Sequence, residues 1–208
     1  LGWIAMTPDR VDKQSSAPGR GLFRRFLRRK DGATAIEFAI LCLPFFLVLF
    51  AAIETFVAFT GEQLLTAATD SIARRIRTGE ITFNQDKPSD VKTEAAFRKL
   101  FCDEIAIMLP CSQTELETPT KLYLDVRSFD KFSDIPPALP LVGGDLDTTA
   151  FRFAPGGKKS INIVRAYYRW EILTDLVRPY ITNIRPASGA RPTYLMVATA
   201  VVQNEDYP

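Results

Sequence analysis

From Ala33 to Thr60 the chain carries charge only at Glu37 and Glu54, and the uncharged centre of this apolar stretch runs from Phe38 to Ile53. A helix rising 1.5 Å per residue needs about 20 residues to cross a bilayer core. The stretch therefore spans if one glutamate lies near an interface or is compensated. Pro44 would kink such a helix without preventing it. Beyond Gly61 the pattern becomes amphipathic, with Leu65, Ala68, Ile72 and Ile76 at spacings of three and four and Arg74 and Arg77 towards the other side. The spacing predicts that the helix continues outward for several turns, with Gly61 as the place where it can break and Gly79 as a C-cap.

A second helix is predicted over Ser89 to Leu109, with Asp90 in its first turn, Val91, Phe97, Leu100, Phe101, Ile105 and Met108 on its apolar side, and Pro110 as its stop. Three strands follow. Lys121 to Phe129 alternates through Leu122, Leu124 and Val126, Ile161 to Leu173 is rich in Tyr, Val and Ile, and Thr193 to Gln203 is nearly continuously apolar, as a central strand would be. The long connection from Lys131 to Lys159 reads as a variable or functional loop. The fold class is therefore α+β: a long N-terminal helix, a second helix and an antiparallel sheet of at least three strands.

The N-terminal flank changes the picture from a helix to a topology. Arg24, Arg25, Arg28, Arg29 and Lys30 precede the apolar stretch, whereas its other flank has no Lys or Arg before Arg74. The excess of cations fixes the leader on the cytoplasmic side and residues beyond about 60 outside; it also favours contact with anionic lipid. A cleaved secretory signal shares the plan of a basic start and an apolar core. It fits less well, because this apolar run is longer, the leader is long, and Glu37 stands where a signal is apolar. Met6 is the expected start of the natural protein, with Leu1 to Ala5 carrying no function.

The chain has no histidine, three cysteines and a net charge of +2. Nucleophile activation by histidine is thereby excluded, and overall charge gives no support to nucleic-acid binding. No cofactor, metal or enzymatic activity is expected. Cys102 and Cys111 lack zinc spacing; outside the cytoplasm they can close a short disulfide, the alternative being two buried thiols. Cys42 reads as a small apolar packing residue. Glu54 reads as an interfacial carboxylate or as a contact to another subunit's helix. Asp103 with Glu104 and Glu115 with Glu117 read as water-facing acidic pairs. Gly143, Gly144, Gly156 and Gly157 read as turns, and Tyr167, Tyr168 and Trp170 as aromatics shared between core and sheet edge.

The segment from Asp31 to Phe38 reads DGATAIEF. With the basic run before it, it resembles the type IV prepilin processing site, where a membrane aspartic peptidase cuts after the glycine and leaves a glutamate at the fifth mature position. Together with the Pro44-containing span, YYRWEILTDLVRPY and the ending ATAVVQNEDY, the chain is similar to the TadE/TadG-like minor pseudopilins of tight-adherence (Tad/Flp) pili. The resemblance implies a pseudopilin-like component of the bacterial inner membrane, acting in pilus assembly and surface adherence. Its implied partners are prepilin peptidase, other pseudopilins or pilins, and inner-membrane assembly proteins. Gly32 and Ala33 would be the scissile pair and Glu37 the carboxylate used in assembly. Physically, glycine offers a peptidase an unobstructed backbone and would break the helix just before Ala33. The carboxylate, costly in hydrocarbon by roughly 2.5 to 3.5 kcal/mol, gains a reason if it pairs with the new amine of a neighbouring subunit.

These readings divide the chain into a leader (1–32), a transmembrane helix (33–60) and an extracytoplasmic pilin-like domain (61–208). The alternative is a permanently anchored envelope protein whose outer domain binds a ligand or partner, with Glu37 an interfacial residue of no specific role.

Overall fold

The computed structural model describes residues 30–175 and 177–207, with side chains from Thr34 onward. The chain divides into two compact units, 1–48 and 49–208. Helix α1 (Lys30–Arg77) is a single element of 48 residues that takes in Pro44 and belongs to both units. In the first unit its described side chains are exposed or half-exposed. The helix passes Gly61 without a break. Gly61 is buried, and a Cβ built there would meet Met196 Cε at 3.3 Å, so the glycine serves close packing rather than termination. Arg74, Arg75 and Arg77 occupy the last turn, where cations complement the unpaired carbonyls. Gly79, at φ +78°, then reverses the chain, its amide donating to the Ile76 carbonyl.

In the second unit α1 packs beside α2 (Glu94–Ile105) on one face of a four-stranded sheet. Helix α2 starts later than Ser89 because Asp90 is already committed: one carboxylate oxygen accepts from the Thr82 hydroxyl, the other from the Gln85 and Lys87 amides. Thr93 caps the helix instead, accepting from the Ala96 amide. After Ile105 the chain makes one further turn, in which the Met108 and Leu109 amides both donate to the Ile105 carbonyl. Helix α3 (Gln113–Glu117) follows, capped by Ser112.

The three long strands are β1 (Leu122–Phe129), β5 (Ile161–Trp170) and β6 (Tyr194–Gln203), close to the spans expected. Between β1 and β5 lie a two-residue pair, β2 (Leu141–Val142) with β3 (Asp145–Leu146), and β4 (Phe153–Ala154). The order is β4-β1-β5-β6, with β4 parallel to β1 and the remaining pairs antiparallel. The expectation that the last strand is central is wrong. The central strand is β5, buried from Ile161 to Tyr167, and β6 forms an edge. Strand β6 is largely apolar, and near its start both of its faces are used, although Thr199 and Val201 further along are exposed. Met196, Ala198 and Ala200 join the core under the helices, while Leu195 joins a small cluster with Leu146, Tyr167 and Ile184 on the opposite face.

The main core is Leu65, Ile72 and Ile76 of α1, Phe97, Phe101 and Ile105 of α2, and Leu122, Val126, Val164 and Met196 of the sheet. Each is close to fully buried. At about 25 cal/mol per Å2 of apolar area, a fully buried Leu or Ile stabilises by about 1.5–3 kcal/mol, so the outer half of α1 is a structural part of the domain.

Candidate membrane and assembly segment

Among the described residues one helix, α1 from Thr34, is long and apolar enough to cross a membrane. Ile36, Phe38, Ile40, Leu41, Leu43 and Phe45 are all exposed along it. An apolar surface on every side of a helix is stable in hydrocarbon and unfavourable in water. Glu37 is exposed among them and is the one charged residue between Thr34 and Ile53. Helix α1 begins at Lys30, so Gly32 falls within its first turn and does not interrupt it ahead of Ala33 as expected from glycine's weak helix propensity. In the first turn the amides have no partner inside the helix in any case, which reduces what glycine costs there. The side-chain surroundings of Lys30, Gly32 and Ala33, and the whole cluster Arg24, Arg25, Arg28 and Arg29, lie outside the described residues.

At the other end of the uncharged stretch, Glu54 is buried within its own domain. Its carboxylate accepts from the backbone amides of Leu173 and Thr174, the latter at 3.2 Å from Oε2. It is thus an internal clamp holding the segment after β5 against α1. Sequence reasoning missed this because the partners are backbone amides far along the chain. Two turns further on, Glu62 Oε2 accepts from the Tyr194 hydroxyl at 3.0 Å, a second tie between α1 and the C-terminal part of the domain.

Cys102 and Cys111 form a disulfide with Cα atoms 5.8 Å apart, joining the end of α2 to the residue before the Ser112 cap. Cys42 is a free, half-buried cysteine on α1.

Of the remaining acidic candidates, Asp103 and Glu104 are exposed, as expected. Asp103 pairs with Lys99, and Glu104 faces Arg75 at 3.7 Å. The expectation that Glu115 faces water is wrong. Glu115 is buried and accepts from the amides of Thr120, Lys121 and Leu122 and from the Thr120 hydroxyl. Burial pushes its carboxyl up, but those four donors outweigh burial and hold it below the usual glutamate range. Tyr167 lies on the central strand, fully buried and stacked on Phe151 at 4.9 Å, which rules out an edge role. Gly143 and Gly144 form the β2-β3 turn with φ values of +58° and +75°, the turn expected. On the face of the sheet away from the helices, buried Asp125 pairs with Arg127 at 2.7 Å. Among the described residues no group of three or more Cys, Asp or Glu side chains could hold a metal ion.

Residues 32–74 match the family model described as TadE-like protein. The match takes in the exposed part of α1 and most of its buried part, and ends before α2. Comparison with curated proteins and with solved structures yields no match.

Proposed function

From the premise that the chain is a TadE-like protein of the Tad pilus system, through its residues 32–74, we propose that it is a minor, pseudopilin-like component that acts in assembly of the pilus and in surface adherence. The observation that carries this reading is the exposed apolar helix with a lone carboxylate, Glu37, inside the TadE-like segment. An exposed helix of this kind suits a bilayer before assembly and the packed helices of other pilins or pseudopilins afterwards. Both surroundings are apolar, so transfer between them costs little burial free energy, and the decisive interaction is polar.

In this reading the leader is cytoplasmic, α1 crosses the bacterial inner membrane once, and the domain stands in the periplasm. Prepilin peptidase cuts between Gly32 and Ala33. The new amine and Glu37 then lie about one turn apart on a helix. In a file of subunits the carboxylate of one can pair with the amine of the next, a charge-assisted contact that strengthens in a low dielectric. Other inner-membrane assembly proteins receive the processed subunit. No cofactor or metal enters the mechanism.

The test is the N-terminal residue of the protein from cells with and without the peptidase. The mature chain begins at Ala33 only when the peptidase is present, and Gly32→Leu keeps the leader attached. Glu37→Ala leaves cleavage and insertion intact but impairs pilus assembly. An intact leader in cells with active peptidase, together with normal pili from Glu37→Ala, would falsify this reading in favour of a permanent anchor.

A further inference from the structure

Along α1 the change from a bare helix to a packed one occurs between Ile53 and Leu65. Ile53, Phe56 and Phe59 are exposed, whereas Ala58 and Leu65 are buried. Within this interval Glu54 holds the amides of Leu173 and Thr174. The segment fastened there does not cover its own apolar side chains. Leu173 is 86% exposed and Tyr180, on the short helix α4 (Arg178–Ile181), is 88% exposed. The Val177 and Arg178 amides both donate to the Thr174 carbonyl, so α4 is tied to the same anchor point as Leu173.

Three arginines bond to residues adjacent in sequence to these apolar tips, or within a few positions of them. Arg178 Nη2 donates to the Ile172 carbonyl at 2.8 Å, Arg185 Nη2 to the Pro179 carbonyl at 2.6 Å, and Arg191 pairs with Asp175 at 3.0 Å. Scattered exposed leucines need no explanation. Here, however, two nearly bare apolar side chains sit on a segment that a buried carboxylate fastens to the last exposed turns of an apolar helix, with guanidinium groups beside them. Tyrosine with arginine, next to an aliphatic tip, is the combination that settles where acyl chains meet phosphates.

We propose that Leu173 and Tyr180 form a second membrane contact, entering the interfacial layer of the phospholipid bilayer that α1 crosses while Arg185 and Arg191 meet lipid phosphates. The exposed surface of Phe56 and Phe59 on α1 is continuous in kind with this contact and supplies the aromatic belt at the same level. The proposal rests on the reading that α1 spans a membrane. Its consequence is that the domain is held against the bilayer surface by two attachments, the helix and this loop, with Glu54 coupling them.

The full chain, with Cys42→Ala and its disulfide closed, is reconstituted in vesicles of phosphatidylethanolamine and phosphatidylglycerol. Single cysteines replace Leu173, Tyr180, Phe50 or Lys158 in turn and carry an environment-sensitive fluorophore. Lys158 is the distant control, since it lies beside Asp206 in the C-terminal segment whose Glu205 amide donates to Arg77 at the far end of α1. Probes at 173 and 180 are expected to shift to the blue and to be quenched most by lipids brominated near the top of the acyl chain, corresponding to a depth of about 5–10 Å. The probe at 50 is quenched by deeper bromines and the probe at 158 by none. Quenching at 50 without quenching at 173 and 180 overturns this contact while leaving the span intact. A blue shift at 173 and 180 without bromine quenching means that protein covers the tips, and overturns it as well. Absence of quenching at 50 defeats the membrane-spanning reading itself.

Discussion

The Glu54 carboxylate on α1 and the Leu173 amide, 119 positions apart in sequence, are joined by a partly buried hydrogen bond. A hydrogen bond to a charged group contributes about 1.5–3 kcal/mol, and a buried donor left unpaired costs a comparable amount. Glu54→Ala should therefore destabilise the domain by about 2 kcal/mol. Amide exchange at Leu173 and Thr174 should accelerate while that of the Gly79 turn stays unchanged. Hydrogen exchange read residue by residue distinguishes this local release from general loosening. Equal acceleration at both places would show that Glu54 is not a local clamp.

Glu115 gives the domain a specific acid sensitivity. Its folded pKa lies below its unfolded value, because the Thr120 hydroxyl and three amides outweigh the effect of burial. The stabilisation is therefore fully present above the unfolded pKa, about 4.3, and is lost as pH falls through the lower folded value. Glu115→Gln should flatten this part of the stability curve, leaving wild type and variant closer in stability at pH 3 than at pH 7. Urea titrations at the two pH values check the sign.

The Cys102–Cys111 bridge closes a short loop, for which chain-entropy estimates give about 2–3 kcal/mol. The double variant Cys102→Ala, Cys111→Ala should lose stability of that order. In protein taken directly from cells the pair should resist alkylation until it is reduced, as expected for a domain in an oxidising compartment. Immediate labelling of both thiols would contradict the proposed periplasmic placement.

Gly79 is constrained twice. Its φ of +78° is unfavourable for other residues, and a Cβ there would lie 2.7 Å from the Tyr207 ring. Gly79→Ala should cost more than about 1 kcal/mol, since alanine adds strain where φ is positive. Adding Tyr207→Ala should recover part of the loss by removing the clash, and the part that remains measures the backbone strain. Thermal unfolding of the two variants separates the two effects.

These tests concern features of unequal visibility in the sequence. Strand β1 was legible because one face packs under the helices, which imposes alternation at Leu122, Leu124 and Val126, and β5 and β6 were legible from their runs of apolar and aromatic residues. Their order was not legible. An edge strand that is partly covered on its second face, as β6 is at Leu195, has nearly the same apolar composition as a central one, which is why β6 was misplaced. Asp90 looked like a helix-start residue, but Thr93 does the capping and Asp90 closes the preceding turn. Both are residues that satisfy free amides, and local sequence does not specify which amides. Glu115 was read as solvent-facing for a related reason, since its partners are main-chain groups with no sequence signature. Of the candidate site, Glu37 and its apolar surroundings were plain from composition alone, whereas the Glu54 clamp depended on a contact across most of the domain.

Gly61 and Glu62 on the first helix meet Met196 and Tyr194 on the last strand, the hydroxyl contact joining positions 132 apart. That closure sets an order of events during synthesis. The helix emerges before the strand that completes its packing, so Leu65, Ile72 and Ile76 wait through the synthesis of every element in between for their final neighbours. Closure over such separations is intrinsically slow, and the waiting species exposes the surface from which aggregation starts. A chain interrupted before Tyr194 would leave the long helix with an unfinished core, a substrate for quality-control proteolysis and not a shorter folded domain.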